Sequence, residues 1–305
     1  MTTETVRIIH FSDIHLTAKR LGWRRRDWLG KRLTGWVNIK LLGRGRRFRY
    51  AAEATAILAK RIHAAEPHGV IFSGDATKLG FPAEFRKAEE LLAPADGRWP
   101  MAVAVPGNHD YYVPQAAASG EFEKSFAPWQ CGTRIGSHAY PFVTTIAGIH
   151  FIALNGATAN PFHLDAGGEI GAEQLLRMRE LCAKLPHGLR VVVTHYPLRT
   201  AVGELESKLR RLRDHEAALA AAKECGVQLW LHGHIHKPFV RGVCGVMPFP
   251  MICAGSATQI DRWSYHDYAI CGLQLVGIRY TYDPDEKDYF ESDRFSLTLP
   301  GNPRE

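Results

Sequence analysis

Five short polar clusters carry side chains that could do chemistry. They are Asp13 and His15 in "SDIH", Asp75 in "GDATK", Asn108, His109 and Asp110 in "GNHD", His195 in "THYP", and His234 and His236 in "LHGHIH". Carboxylates, imidazoles and one carboxamide, with no cysteine among them, make an oxygen and nitrogen donor set. Such a set suits manganese, iron or zinc better than copper(I) or an iron–sulfur cluster, and neutral imidazole is the commonest protein metal ligand. In "LHGHIH" the period-two spacing of His232, His234 and His236 would aim three rings at one face of a strand, whereas Gly233 and the end of the apolar run favour a turn. Taken singly, each cluster is equally the cap or turn chemistry of Asp, Asn and Ser at a strand end.

The elements that must position these residues are legible around them. "VRIIHF", "GVIFSG", "MAVAV", "IHFIALNG", "LRVVVTHYP" and "VQLWLHGHIH" are apolar, β-branched runs that end in polar residues. Between them lie helix-like stretches, "AAEATAILAKRIHAAE", "AEFRKAEELLA", "GAEQLLRMRELCAKL" and "ELESKLRRLRDHEAALAAAKEC". Strands alternating with amphipathic helices indicate a layered α/β fold, in which functional residues gather beyond the carboxyl ends of the strands. From "MPFPMICAGS" to "RFSLTLP" the pattern is strand-like and should complete or extend the sheet. With no internal repeat or linker, residues 1–305 read as one domain, with an insertion at about 17–50 and a mainly β extension at about 259–305.

Composition bounds the function class. Over 305 residues, 46% hydrophobic and 23% charged is the balance of a soluble globular chain. There is no apolar run of the roughly 18 residues a membrane span requires, and the N-terminus enters a strand without the basic and apolar regions of a signal peptide. Six cysteines without a CxxC pair argue against a zinc ribbon or a thioredoxin-type motif and fit a reducing, cytoplasmic setting. The net charge of +7 is uneven: residues 16–50 hold twelve Lys or Arg against Asp27 alone, a local +11 that leaves about −4 elsewhere. The basic character therefore belongs to the insert.

In order and content, "DIH", "GDAT", "GNHD", "THYP" and "GHIH" resemble the signature of the calcineurin-like metallophosphoesterases, over about residues 7–258. The resemblance implies a layered β-sandwich flanked by helices and a dinuclear metal site. Asp13, His15 and His236 would hold one ion, Asn108, His195 and His234 the other, and Asp75 would bridge them; Mn is the first expectation, with Fe or Zn as alternatives. Two such ions, roughly 3.5–4 Å apart, serve in-line hydrolysis of a phosphate ester or anhydride. His109 matches the family histidine that stabilises the transition state or protonates the leaving oxygen. Protein phosphatases of the family carry GDxxDR, with a second acid supporting that histidine. Here "GDATKLG" puts Lys78 in its place, as in bacterial phosphodiesterase-like members, and Asp110 is the residue expected to orient His109. His232 falls outside the pattern and reads as an outer partner of the site or as structural.

The insert, "RLGWRRRDWLGKRLTGWVNIKLLGRGRRFRY", places residues 28, 29, 33, 36, 37 and 41 on an apolar helical stripe. Such a stripe either packs on its own protein or, with Arg24, Arg25, Arg26, Trp28 and Trp36, meets anionic lipid at the inner face of a membrane; nucleic acid is a competing partner. A basic, tryptophan-bearing insert after the first motif looks like lipid-directed members, including those that cleave UDP-diacylglucosamine. The expected function is thus hydrolysis of a phosphodiester or pyrophosphate, in an amphiphilic, lipid-linked substrate. A soluble cyclic-nucleotide phosphodiesterase and a non-catalytic scaffold on the same fold are the alternatives. Tyr111, Tyr112, Phe162 and His163 lie in loops that could line a substrate pocket or simply pack.

Overall fold

The apolar runs form strands because β-branched residues fill a sheet covered on both faces. The computed structural model describes residues 4–94, 100–162 and 164–301, apart from the side chain of Arg44. The first half runs β1 (Val6–Phe11), α1 (Lys31–Lys40), α2 (Ala51–Ala65), β2 (Gly69–Phe72), α3 (Pro82–Leu92), β3 (Met101–Ala104), α4 (Pro114–Ser119) and α5 (Glu121–Ser125). Next come β4 (Thr133–Arg134), β5 (Phe142–Ile146), β6 (Ile149–Ala153), α6 (Ala172–Lys184), β7 (Arg190–Val193), α7 (His215–Glu224) and β8 (Leu229–His232). The chain closes with β9 (Phe239–Arg241), β10 (Met251–Cys253), β11 (Tyr265–Cys271), β12 (Gln274–Asp283) and β13 (Asp288–Thr298).

Two sheets result, in the orders β13-β12-β11-β1-β2-β3 and β4-β5-β6-β7-β8-β10-β9. β1, β2 and β3 are parallel, as are β6, β7, β8 and β10, so α2, α3, α6 and α7 act as crossover helices on the outer faces. The C-terminal strands β11, β12 and β13 form an antiparallel meander on the free side of β1. The architecture is therefore mixed α/β, two sheets flanked by helices.

Three apolar layers hold it together. Ile8, Ile71, Val103, Phe142, Val191 and Leu229 fill the space between the sheets. Leu58, Ile62, Phe85 and Leu92 seal α2 and α3 onto the first sheet, and Leu175, Met178, Leu181 and Trp230 seal α6 onto the second. Each such side chain stabilises the fold by roughly 1.5–3 kcal/mol on burial. α3 starts with Pro82 at its first position, and Glu84 accepts from the amides of Phe81 (3.2 Å) and Leu79 (2.9 Å), which fixes the helix start.

Two expectations need correcting. The helix expected over 204–225 begins only at His215. Residues before it pair with the 165–168 loop instead, through Ala166 N to Leu209 O (2.8 Å) and Arg213 N to Gly168 O (2.8 Å). The insert does contain a helix, α1, but its buried residue is Arg32. That guanidinium pairs with Asp27 (2.8 Å), donates to the Leu79 carbonyl (3.1 Å) and to that of Gly80, and lies 4.1 Å over the Phe81 ring. Trp36 turns against Trp23 and the small cluster of Leu79, Phe81 and Tyr112, so it leaves the outward stripe. Trp28, Leu29, Leu41 and Leu42 remain exposed, at 51%, 93%, 73% and 73%.

Candidate metal centre

The five polar clusters follow β1, β2 and β3 of one sheet and β7 and β8 of the other, so the parallel strands deliver all of them to one edge of the sandwich. The loops are tied together by backbone bonds, Asp13 N to Gly74 O (2.8 Å), His15 N to Asp75 O (3.0 Å) and Gly233 N to His195 O (3.1 Å). Nine non-glycine residues have positive φ among the described residues, and five of them are Asp13, His15, Asp75, His234 and His236. Each such conformation costs about 1–3 kcal/mol and persists only where the surroundings impose it. His234 and His236 are thus aimed by a left-handed turn after β8, not by strand alternation. Glycine is required here by space: a Cβ on Gly233 would collide with Ser12 Oγ and Asp13 Oδ2, and one on Gly107 with Asp75 Oδ1.

Ligand atoms of Asp13, His15, Asp75 and His236 lie within 4.8 Å of one another. His236 Nε2 is 3.0 Å from Asp13 Oδ1 and 3.0 Å from His15 Nε2, and His15 Nε2 is 3.6 Å from Asp75 Oδ2. On the other side of Asp75, His195 Nε2 is 3.4 Å from the same Oδ2. His234 Nδ1 sits 3.0 Å from Asn108 Oδ1, and the His195 and His234 rings are 5.2 Å apart. Asp75 therefore stands between two groups of donors.

The hydrogen bonds at the far side of each ring decide the chemistry. His15 Nδ1 meets Thr77 O (3.2 Å), His236 Nδ1 meets Gln259 Oε1 (2.5 Å), His195 Nδ1 meets Ser73 O (2.7 Å) and His234 Nε2 meets Arg210 O (2.8 Å). Each partner is a carbonyl oxygen, so that nitrogen carries the proton and the opposite nitrogen presents a lone pair inward. Four imidazole lone pairs converge with two carboxylates and an amide oxygen. His195 Nε2 and Asp13 Oδ1 are buried without a well-aligned hydrogen-bond partner. Such a cluster favours a cation among its donors, and the oxygen and nitrogen set around Asp13, His15, Asp75 and His236 fits a divalent ion.

Electrostatics agree. Burial disfavours charge on Asp13, yet His236 and His15 hold its carboxyl well below the usual carboxylate range; His195 and His109 do the same for Asp75. Burial also opposes charge on His195, but Asp75 and Asp13 push it up to about 9. Without an ion its Nε2 therefore takes up a proton in the place a cation would fill, and the lone pair is free for a ligand role only when the ion displaces that proton. Burial lowers His15, and burial with the nearby His195 lowers His234, so both are neutral donors.

His109 lines the cleft beside this cluster. Its Nδ1 lies 2.6 Å from the Lys78 carbonyl and its backbone N–H donates to Asp75 Oδ1 (2.8 Å). The Asp110 carboxylate is engaged elsewhere. It accepts from the amides of Asp75 (2.9 Å), Thr77 (3.0 Å) and Gly107 (3.0 Å). Asp110 thus braces the loop that carries Asp75, and the ring of His109 is oriented by the backbone of Lys78. Burial and the nearby Asp75 raise the Asp110 carboxyl to about 7. His232 is buried at the end of β8, bonded through Nδ1 to the Gly233 carbonyl (2.9 Å), and burial lowers it to about 4.

The cleft has a volume of about 330 Å³, and Lys31, Lys78, Arg210 and Tyr112 line it. Lys31 Nζ donates to the carbonyls of Asn160 and Asp165 (both 3.3 Å) and lies 4.8 Å from the Tyr112 ring centre. Tyr111 instead bonds Glu123 (2.6 Å), Phe162 is exposed, and His163 lies outside the described residues. Reading the sequence missed Gln259, Lys31 and Arg210. Gln259 sits 23 residues beyond His236 with no motif around it, and Arg210 lies within the stretch expected to be helical.

A family model for calcineurin-like phosphoesterases matches residues 6–238. No curated protein matches the chain. Among solved structures it is similar to a dimetal phosphatase from Danio rerio, at 13% identity and a TM-score of 0.63, covering 97% of this chain and 99% of that one. It is also similar to PhoD, at 10% identity and 0.59 over 96% and 70%. A third likeness is GAP50, the anchor in the inner membrane complex of Plasmodium, at 13% identity and 0.56 over 98% and 90%. At these identities the likenesses speak to the fold alone.

Proposed function

We propose, from the premise that the chain belongs to the calcineurin-like phosphoesterases, that it hydrolyses a phosphodiester or pyrophosphate bond with two divalent ions. The reading extends to an amphiphilic substrate met at an anionic membrane surface. The observation that carries the hydrolase reading is the inward convergence of four imidazole lone pairs around Asp75, each fixed by a carbonyl at its far side. Asp13, His15 and His236 would hold one ion, Asn108, His195 and His234 the other, with Asp75 shared; Mn is the first choice, Fe or Zn the alternatives. Bound ions would supply Lewis acidity at the phosphoryl group.

The chain's own groups do the rest. With His109 Nδ1 held by the Lys78 carbonyl, proton exchange with the leaving oxygen falls to Nε2. Lys31, Lys78 and Arg210 place further positive charge around the same cleft. That favours a substrate with anionic oxygens beyond the reacting phosphoryl group over a simple monoester. Trp28 and Leu29, exposed next to Arg24, Arg25 and Arg26 in the chain, would supply apolar and basic contacts for an anionic bilayer, with Leu41 and Leu42 exposed at the other end of α1. No described helix is long and apolar enough to cross a membrane, and the proposed attachment is peripheral, on the cytoplasmic face.

The test is turnover by Mn²⁺-loaded protein of bis-p-nitrophenyl phosphate, p-nitrophenyl phosphate, cyclic AMP and a lipid-linked pyrophosphate in micelles. Diester or pyrophosphate turnover that falls at least 100-fold in His109→Ala is expected. Preference for cyclic AMP would replace the amphiphilic reading with the soluble phosphodiesterase. No turnover with both ions bound would leave a scaffold. Cosedimentation with phosphatidylglycerol vesicles, lost in the triple Arg24, Arg25, Arg26→Ser variant, tests attachment separately; binding that is unchanged would refute it.

A further inference from the structure

A second cavity, of about 760 Å³, lies under the insert. It is larger than the metal cleft and shares four wall residues with it, Ile39, Phe48, Lys78 and Leu79. Its apolar wall comes from Trp23, Trp36, Phe48, Ile39 and Leu79, and its cations are Lys19, Arg20, Lys40, Arg46, Arg49 and the shared Lys78. Among the described residues that line it none is acidic. Nothing in the metal chemistry of the neighbouring cleft needs this space.

The wall chemistry selects the occupant. Reading a nucleobase requires acceptors as well as donors, and the side chains here offer, besides the Thr17 hydroxyl, only donors, the cations and the two indole N–H groups. The indoles of Trp23 and Trp36 are nearly perpendicular, at 89° with centres 6.2 Å apart, and offer no parallel pair of faces between which a base could stack. An irregular apolar slot fits a flexible hydrocarbon chain, and the six cations fit an anionic group at its end.

We propose that this cavity binds the hydrocarbon tail of an amphiphile whose phosphate group lies in the adjoining metal cleft. The assignment rests on the reading of that cleft as a phosphoesterase site and adds to it where the tail goes. Phe48 and Ile39, common to both cavities, would then form the threshold between tail and headgroup. The substrate class narrows to phosphate esters or anhydrides carrying an alkyl or acyl chain.

The experiment uses the full chain with Mn²⁺ and monomeric octyl, decyl and dodecyl phosphates, with binding read by calorimetry and by quenching of tryptophan with a bromine-tagged tail. Each added methylene should tighten binding up to about fourfold if the chain is buried. The bromine should quench wild-type fluorescence, since two indoles line the slot. Ile39→Asn, which adds no charge beside the metal cleft, should abolish the dependence on chain length. Lys40→Gln with Arg46→Gln, surface changes that leave the apolar wall intact, should weaken all three probes by a common factor. Equal affinity for the three chain lengths, or a length dependence that survives Ile39→Asn in a folded variant, would overturn the proposal. If bis-p-nitrophenyl phosphate is hydrolysed while tail length has no effect, the tail site is wrong and the phosphoesterase reading stands. If tail length matters while no ester is cleaved, the tail site stands and the hydrolase reading fails.

Discussion

Removing the Gln259 amide should weaken one metal ion selectively. Gln259 Oε1 lies 2.5 Å from His236 Nδ1, and on the far side of that ring Nε2 faces Asp13 Oδ1 at 3.0 Å. In Gln259→Ala the Nδ1 proton loses its acceptor, the tautomer is no longer imposed, and the ring can turn away from Asp13. Losing an outer partner of a metal-binding histidine typically weakens the ion 10–100-fold, which is about 1.4–2.8 kcal/mol at tenfold per 1.4 kcal/mol. A lost hydrogen bond with a donor left unsatisfied costs about 1–3 kcal/mol, so the two estimates agree. Gln259→Glu keeps an acceptor at the same place and should retain affinity. Calorimetric titration of metal-stripped protein with Mn²⁺ reads this directly, with thermal unfolding of the stripped forms as the control. Isotherms for Gln259→Ala and wild type that superimpose would refute the tautomer argument, and so would an equal loss in Gln259→Glu.

Other perturbations reach different parts of the molecule. Burial raises Glu84 from 4.5 to about 7, so the folded state holds a proton that the unfolded state has released between those values. Stability from this group is present below the lower value and is lost as pH rises through the upper one. Urea unfolding should show Glu84→Gln gaining on wild type by about 3 kcal/mol between pH 5 and 8; a constant difference across that range would contradict it. Gly233→Ala forces Ser12 and Asp13 aside and should cost about 1–3 kcal/mol by overpacking, with turnover down about 100-fold from misplaced ligands. Unchanged kinetics would show that the β1 loop yields freely. Arg32→Met leaves the buried Asp27 unpaired and should destabilise by about 3–5 kcal/mol, most of it recovered in Arg32→Met with Asp27→Asn. Chemical denaturation of the two variants checks this, and equal losses would mean that packing, not charge, holds the insert.

The layered fold was legible because β1, β2, β3, β6, β7 and β8 are apolar runs ending in polar residues, and a parallel sheet covered on both faces demands that pattern. The polar clusters were legible for the same reason, since Asp13, Asp75, Asn108, His195 and His234 all follow strand ends, but their grouping as one ligand set came from the resemblance to the family's motifs. Arg210 was hidden because "ESKLRRLRDH" has helical periodicity, yet its backbone pairs with the 165–168 loop, a long-range preference that outweighs local propensity. The insert misled in part. Of the stripe, Leu33, Trp36 and Val37 within α1 are partly buried, whereas Trp28, Leu29 and Leu41, which flank the helix, face outward. The one buried position of α1 goes to Arg32, held by a buried carboxylate and two carbonyls. The partner of His109 was beyond reach of any motif, since at Lys78 it is the backbone that acts.

The acceptors that aim His15, His195, His234 and His109 are the main-chain carbonyls of Thr77, Ser73, Arg210 and Lys78. Every amino acid supplies that same oxygen, so exchanging the side chain at those four positions leaves the acceptor in place. The support of the centre is therefore largely invisible to side-chain scanning. An alanine scan would single out Gln259 and pass over four equally important contacts, and only changes that move the loops themselves, such as a proline or an insertion, would expose them. The same property lets Lys78 and Arg210 vary in charge and reach, and so retune the cleft toward a different substrate, while the histidines beside them stay fixed.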